Sequence, residues 1–121
     1  MQWGIEFYQD ATGNSPVQDF IRGQTKKVQA KILRYIDLLQ DFGLGLGSEY
    51  VEKLEGSKLW PLRIRHRSNL YRIFYFAFTG RKFVLVHAFL KKTKKTPKSE
   101  IAVAEARQND YGRRHALDNR S

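Results

Sequence analysis

The chain alternates and repeats in ways that divide it into strands and helices. Trp3, Ile5 and Phe7 alternate with Gly4, Glu6 and Tyr8, a period of two that predicts a strand. After a turn at Thr12-Gly13-Asn14, Ser15-Pro16-Val17-Gln18 reads as a helix start, with Ser15 as cap, Pro16 in the first turn and Gln18 completing a capping box. That helix ends near Gly23. Thr25 caps a longer one, whose apolar positions Val28, Ile32, Tyr35, Ile36, Leu39 and Phe42 keep helical spacing up to a stop at Gly43. Beyond the Gly43–Ser48 loop the period returns to two. Trp60, Leu62 and Ile64 alternate with Arg63 and Arg65. A turn at His66 to Asn69 leads into Leu70 to Phe78, and Thr79-Gly80 leads into Phe83 to Leu90. Pro61 cannot donate to a ladder, so its strand should have a bulge or an open edge. Thr96 and Pro97 open a last helix through Ile101, Ala102, Ala104 and Ala106 towards Tyr111.

The expected architecture is α+β: an N-terminal helical hairpin packed on a four-stranded antiparallel sheet, with residues 3–8 at one edge, and a basic C-terminal helix. Its 121 residues suit one domain, expected over residues 1–111, followed by a polar tail at 112–121. The absence of cysteine excludes disulfides, thiolate metal sites and a cysteine nucleophile, and is compatible with a reducing cytosol. The longest apolar run, Phe83 to Leu90, is interrupted by His87 and is too short to span a membrane. The start, with Glu6 and Asp10 close behind Met1, is unlike a signal peptide, so a cytoplasmic protein is expected.

Charge changes the picture. Residues 1–56 carry six Lys/Arg against eight Asp/Glu, while residues 57–121 carry sixteen against four; the balances of −2 and +12 give the net +10. A basic face beside a nearly neutral one points to a polyanion held by counterion release. The basic residues fall on strands and a Thr/Lys loop, not on one amphipathic helix, so a membrane surface is the weaker partner.

Alternation puts Arg63 and Arg65 on one face of their strand and Arg72 on a face with Phe74 and Phe76. The ordinary reading of such a strand is a half-buried one with solvated charges. The lysine run that follows the last strand adds a second cationic element. A sheet rimmed by Arg63, Arg65, Arg72, Lys92 and Lys95 would suit a phosphodiester, because guanidinium forks bind phosphate oxygens and fixed cations stabilise charge building on phosphorus. His87, inside an apolar strand, reads as a structural histidine, His115 belongs to the tail, and His66 stands among arginines as a proton-transfer candidate. No His/Asp/Glu grouping has metal-ligand spacing, and no serine has a triad or elbow context.

The stretches Leu62-Arg63-Ile64-Arg65, Leu70-Tyr71-Arg72-Ile73-Phe74-Tyr75 and Phe89-Leu90-Lys91-Lys92-Thr93-Lys94-Lys95-Thr96-Pro97 resemble the RelE/HigB superfamily of toxins, in particular its phage-derived subgroup. The resemblance covers residues 1 to about 111, and the Lys/Thr/Pro segment is its most specific part. It implies ribosome-dependent cleavage of messenger RNA without a metal or other cofactor, by attack of the ribose 2′-hydroxyl on the adjacent phosphate. By position it assigns Arg63, Arg65, Arg72 and Lys92 to catalysis; Lys95 is a further catalytic candidate, and Lys91, Lys94, Arg67 and His66 are RNA-binding candidates, from their place in the same basic segments. RelE has a tyrosine where this chain has Lys98, which leaves Lys95, Tyr111 and His66 as alternatives for proton transfer. The implied partners are a helix-turn-helix antitoxin, the ribosome with its message, and operator DNA only through the antitoxin. A ParE-like gyrase inhibitor and a non-catalytic nucleic-acid- or antitoxin-binding module are the competing readings.

Overall fold

In a computed structural model, which describes residues 2–92 and 94–118, the order is β1 (Gly4–Phe7), α1 (Pro16–Arg22), α2 (Lys26–Phe42), a short 3-10 turn, β2 (Trp60–His66), β3 (Asn69–Phe78), β4 (Lys82–Lys91) and α3 (Lys98–Asp118). The strands form one sheet in the order β1-β4-β3-β2. β2, β3 and β4 are the expected antiparallel meander, but β1 runs parallel to β4, with Ile5 opposite Phe83 and Phe7 opposite Leu85. The sheet is therefore mixed, not antiparallel, and the two helices follow β1 instead of standing at the N-terminus. The physical reason lies in the connection. Two helices carry the chain from β1 to β2 as a crossover, so it returns to β2 in the direction β1 had, and a meander of three strands makes β4 parallel to β2. Period-two patterning marks a strand without giving its direction.

Both faces of the sheet are covered. Val17, Ile21, Val28, Ile32, Ile36 and Leu39 of α1 and α2 pack with Leu62, Ile64, Tyr71, Ile73, Tyr75, Phe83 and Leu85 on one face. Ala104 and Tyr111 of α3 pack with Phe74, Phe76, Val84, Val86 and Phe89 on the other. β4 keeps strict alternation only as far as Leu85. Tyr75 is opposite Leu85 and Phe74 opposite His87, which leaves Val86 as an extra residue in a β-bulge. Val86 and His87 consequently both turn towards α3. The side-chain parity of the strand reverses beyond them, so Ala88 and Leu90 pack on the α1/α2 side and Phe89 on the α3 side.

The helix ends follow their sequence signals unequally. Thr25 accepts a hydrogen bond from the Val28 amide (3.3 Å) and caps α2. Ser15 sits at the start of α1 but makes no side-chain cap bond, so the expected capping box does not form. Pro61 lies on the outermost strand, consistent with the open edge its missing donor requires. That edge is met by residues 50–52: Val51 bridges Leu62, and the Arg63 amide donates to the Tyr50 carbonyl at 2.6 Å. α3 continues to Asp118, beyond the end near Tyr111 that its sequence suggests; residues 119–121 of the expected tail lie outside the described residues. Among the described residues no helix is long and apolar enough to cross a membrane.

Gly43 ends α2 at φ 56° and ψ −130°, a conformation that only glycine adopts without strain. A Cβ there would run into the Trp3 indole, which stacks on Phe83 at 4.3 Å. Gly43→Ala should therefore combine backbone strain with displacement of Trp3 and destabilise the fold by about 2 kcal/mol, read as a lower urea midpoint. Gly45→Ala, with open space around the position, is the control.

Candidate functional site

The α3-facing side of the sheet is built in cross-strand rows. Pro61, Phe74 and His87 form one, Arg63, Arg72 and Phe89 the next, and Arg65, Leu70 and Lys91 the last. α3 covers the first of these. The other two lie beside a cleft of about 270 Å³ lined by Glu52, Lys53, Leu54, Pro61, Arg72, Lys91, Lys94, Lys95, Thr96 and Ile101.

Arg72 is the floor of this cleft and only 5% exposed. Its Nη1 donates to Thr96 Oγ1 at 2.7 Å and its Nη2 to Glu52 Oε2 at 3.4 Å. Burial, reinforced by the neighbouring Arg63 charge, lowers its pKa, while Glu52 acts in the opposite sense. Arg63 stands directly across the ladder, a like-charge pairing that opposes folding. The Nε atoms of both arginines are buried with no hydrogen-bond acceptor among the described residues. Buried donors left without an acceptor cost stability, as does the like-charge pairing, so this end of the sheet is held at the expense of the fold.

The lysines divide by parity. Lys91 comes after the bulge and so lies on Arg72's face, where its Nζ donates to the Lys94 carbonyl at 2.7 Å. Burial first, then the Arg72 and Arg63 charges, lower its pKa; Glu52 opposes them. Lys94 and Lys95 line the cleft and are exposed. Lys92 is exposed and does not line it. Arg65 is exposed on the same face as Arg63, one row nearer the β2–β3 turn. His66 and Arg67 belong elsewhere: they line a second cleft at that turn with the start of α2. Two of the three expected proton-transfer alternatives therefore lie away from Arg72. Tyr111 is the other one; it is buried among Phe76, Phe78 and His115 at the far end of the sheet. Only Lys95 remains in the cleft.

Sequence reasoning missed Glu52 and Thr96 as neighbours of Arg72. Thr96 drew attention only as a helix cap. Glu52 sits in a segment without periodicity, and its place follows from the bridge of Val51 to β2. It is the one carboxylate among the residues lining the cleft.

His87 is structural, as its place in an apolar strand suggests. Its Nδ1 lies 3.0 Å from Arg107 Nη1, and because a guanidinium only donates, Nδ1 accepts and Nε2–H donates to Glu100 Oε1 at 3.1 Å. Arg107 also donates to the Val86 carbonyl that the bulge frees from the ladder (2.9 Å). Burial lowers the His87 pKa from 6.5 despite Glu100. The folded state thus resists a proton that the unfolded chain accepts below 6.5, and stability present above that value should fall as the pH drops through it. Urea midpoints at about pH 7.5 and about pH 5.5 should differ in that sense, and His87→Gln should flatten the difference.

Among the described residues no group of three or more His, Cys, Asp and Glu side chains could hold a metal ion. The features together define a small α+β protein with a cationic cleft on one face of a mixed sheet. Residues 19–109 match the family described as phage derived protein Gp49-like (DUF891), and the chain belongs to it. This is a toxin-like family of the RelE/HigB type found in toxin–antitoxin systems, which implies a cognate antitoxin as partner. No curated protein matches the chain.

Proposed function

We propose that the chain is the toxin of a toxin–antitoxin pair and an endoribonuclease that cuts messenger RNA on the ribosome. The observation that carries this reading is the Arg63–Arg72 pair, two like charges held across one rung of the ladder, with Arg72 in a cleft that Lys91, Lys94 and Lys95 also line. In this mechanism Arg72 and Arg63 hold the non-bridging oxygens of the scissile phosphate and stabilise the charge that grows on them in the transition state. Glu52 takes the proton of the ribose 2′-hydroxyl. The 2′-oxygen bonds to the adjacent phosphorus, the bond from phosphorus to the 5′-oxygen breaks, and that oxygen leaves with the electron pair. Lys91, whose lowered pKa makes it a stronger acid than an ordinary lysine, supplies its proton. The products are a 2′,3′-cyclic phosphate and a 5′-hydroxyl. Thr96 fixes the Arg72 fork, and Arg65, Lys94 and Lys95 hold neighbouring phosphates. A helix-turn-helix antitoxin would silence the toxin by keeping this face away from RNA, and would supply the pair's contact with operator DNA.

A cell-free translation reaction tests the proposal. Added wild type should stop amino-acid incorporation and shorten the message, while leaving DNA supercoiling by gyrase unchanged. Inhibited gyrase with intact message would instead support the gyrase-directed reading. The parity of β4 adds a sharper expectation. Lys91→Gln should slow cleavage about 10–100-fold, as loss of a proton-transfer group does, and Lys92→Gln should change it by less than about threefold.

A further inference from the structure

The second cleft lies around the β2–β3 turn, has a volume of about 370 Å³, and is lined by Thr25, Lys26, Lys27, Val28, His66, Arg67 and Asn69. Two chain segments far apart in sequence bring three fixed cations and a histidine to it. None of Lys26, Lys27, His66 and Arg67 has an ion pair or side-chain hydrogen bond among the described residues. The first turn of α2 has two lysines and no acid, where the helix dipole favours the opposite sign. The stem of β2 connects this cluster to the first cleft. Arg63 lies beside Arg72, Arg65 is exposed two residues further along, and Arg67 stands at the tip. From Arg63 to His66, where the strand ends, it rises about 10 Å, at about 3.3 Å per residue. A stacked nucleic-acid strand with one phosphate per about 3.4 Å would place about three phosphates over that path.

We infer that the cleft formed by Lys26, Lys27, His66 and Arg67 is a second RNA-backbone site, which holds phosphates of a single strand a few nucleotides away from the one seated at Arg72. The inference rests on the RNA-directed reading above, but its test measures binding to an uncleavable strand, so it stands or falls separately from cleavage. The surface around the cleft offers cations on aliphatic stems and a single apolar residue, Val28, in place of the apolar anchors that a folded protein partner would need. Charge complementarity therefore favours a polyanion backbone.

The experiment uses the full chain and a fluorescent single-stranded oligonucleotide, all 2′-deoxy, titrated by anisotropy between about 50 and about 300 mM salt. The triple variant Lys26→Gln, Lys27→Gln, Arg67→Gln should bind at least tenfold more weakly at the low-salt end. Its log K against log salt slope should be shallower by about 2, the value for three lost phosphate contacts on a single strand. A control of equal charge, Arg22→Gln, Lys58→Gln, Arg113→Gln, removes three exposed cations elsewhere and should keep the wild-type slope. All six positions are exposed, so both variants should melt like wild type, which circular dichroism checks. An unchanged slope in the first variant, or equal flattening in both, would overturn the inference. So would an acidic peptide that loses affinity for the first variant while the oligonucleotide does not.

Discussion

Replacing Arg72 by Ala should lower single-turnover cleavage of ribosome-bound message by about 10²–10³-fold, the usual loss when a fixed donor to the developing charge is removed. The expectation rests on its placement. Arg72 is buried, its fork is fixed by Thr96 and Glu52, and its remaining Nε–H has no acceptor among the described residues. The loss should not come from unfolding. Glu52, left behind, is 58% exposed in its side chain and can turn to water, and removing Arg72 also relieves the repulsion from Arg63. Arg72→Lys should recover only part of the activity, because an ammonium keeps the charge and loses the fork. Equal rates for Lys and wild type would mean that the site needs charge alone.

The second large effect is on stability. Phe74→Ala should cost about 3–5 kcal/mol, a large part of the total that a domain of this size has. Phe74 is fully buried on the α3 side, next to Arg72 along β3 but on the row below, with its ring 5.5 Å from that of Phe89. It therefore separates the α3 core from the cationic rows above it. Truncation should lower the urea midpoint and detach α3 from the sheet early, seen as faster amide exchange in residues 98–111. Phe42→Ala is the contrast. That ring is 61% exposed, and its loss should move the midpoint by less than about 0.5 kcal/mol.

Much of the fold is legible in the sequence because its signals are local. The period of two in Trp60 to Ile64 and the helical spacing from Val28 to Leu39 report directly which face meets a core. The direction of β1 is not local. It depends on where a crossover of two helices returns the chain, and the residues Trp3 to Tyr8 would alternate identically in either direction. The bulge at Val86 is similarly silent, since Val84-Leu85-Val86-His87-Ala88 has no glycine or proline to mark it. Its consequence reaches the site. Strict alternation counted from Phe83 would put Lys92 on Arg72's face and Lys91 on the opposite one; the bulge reverses them.

The cationic half of the site was legible for a related reason. Arg63, Arg65 and Arg72 are spaced by the strand period, and their shared face follows from hairpin pairing. Its acidic member was not. Glu52 reaches Arg72 only because Val51 bridges the outer edge of β2 at Leu62, eleven positions on, with no alternation to announce it. His66 and Arg67 look in the sequence like neighbours of Arg65, yet the turn carries them to the α2 side. Proximity along the chain is a poor guide at a hairpin tip, where successive side chains leave on different faces.

The most direct test of the account is the chemistry of the cut ends. Programmed ribosomes carrying a defined message would be incubated with wild type or with Arg72→Ala, and the 3′ ends of the fragments analysed. Wild type should give fragments ending in 2′,3′-cyclic phosphate, and Arg72→Ala, melting normally, should leave the message intact. Fragments ending in 3′-hydroxyl, cleavage that survives the loss of Arg72, or intact message under wild-type protein that still arrests translation would contradict the proposal.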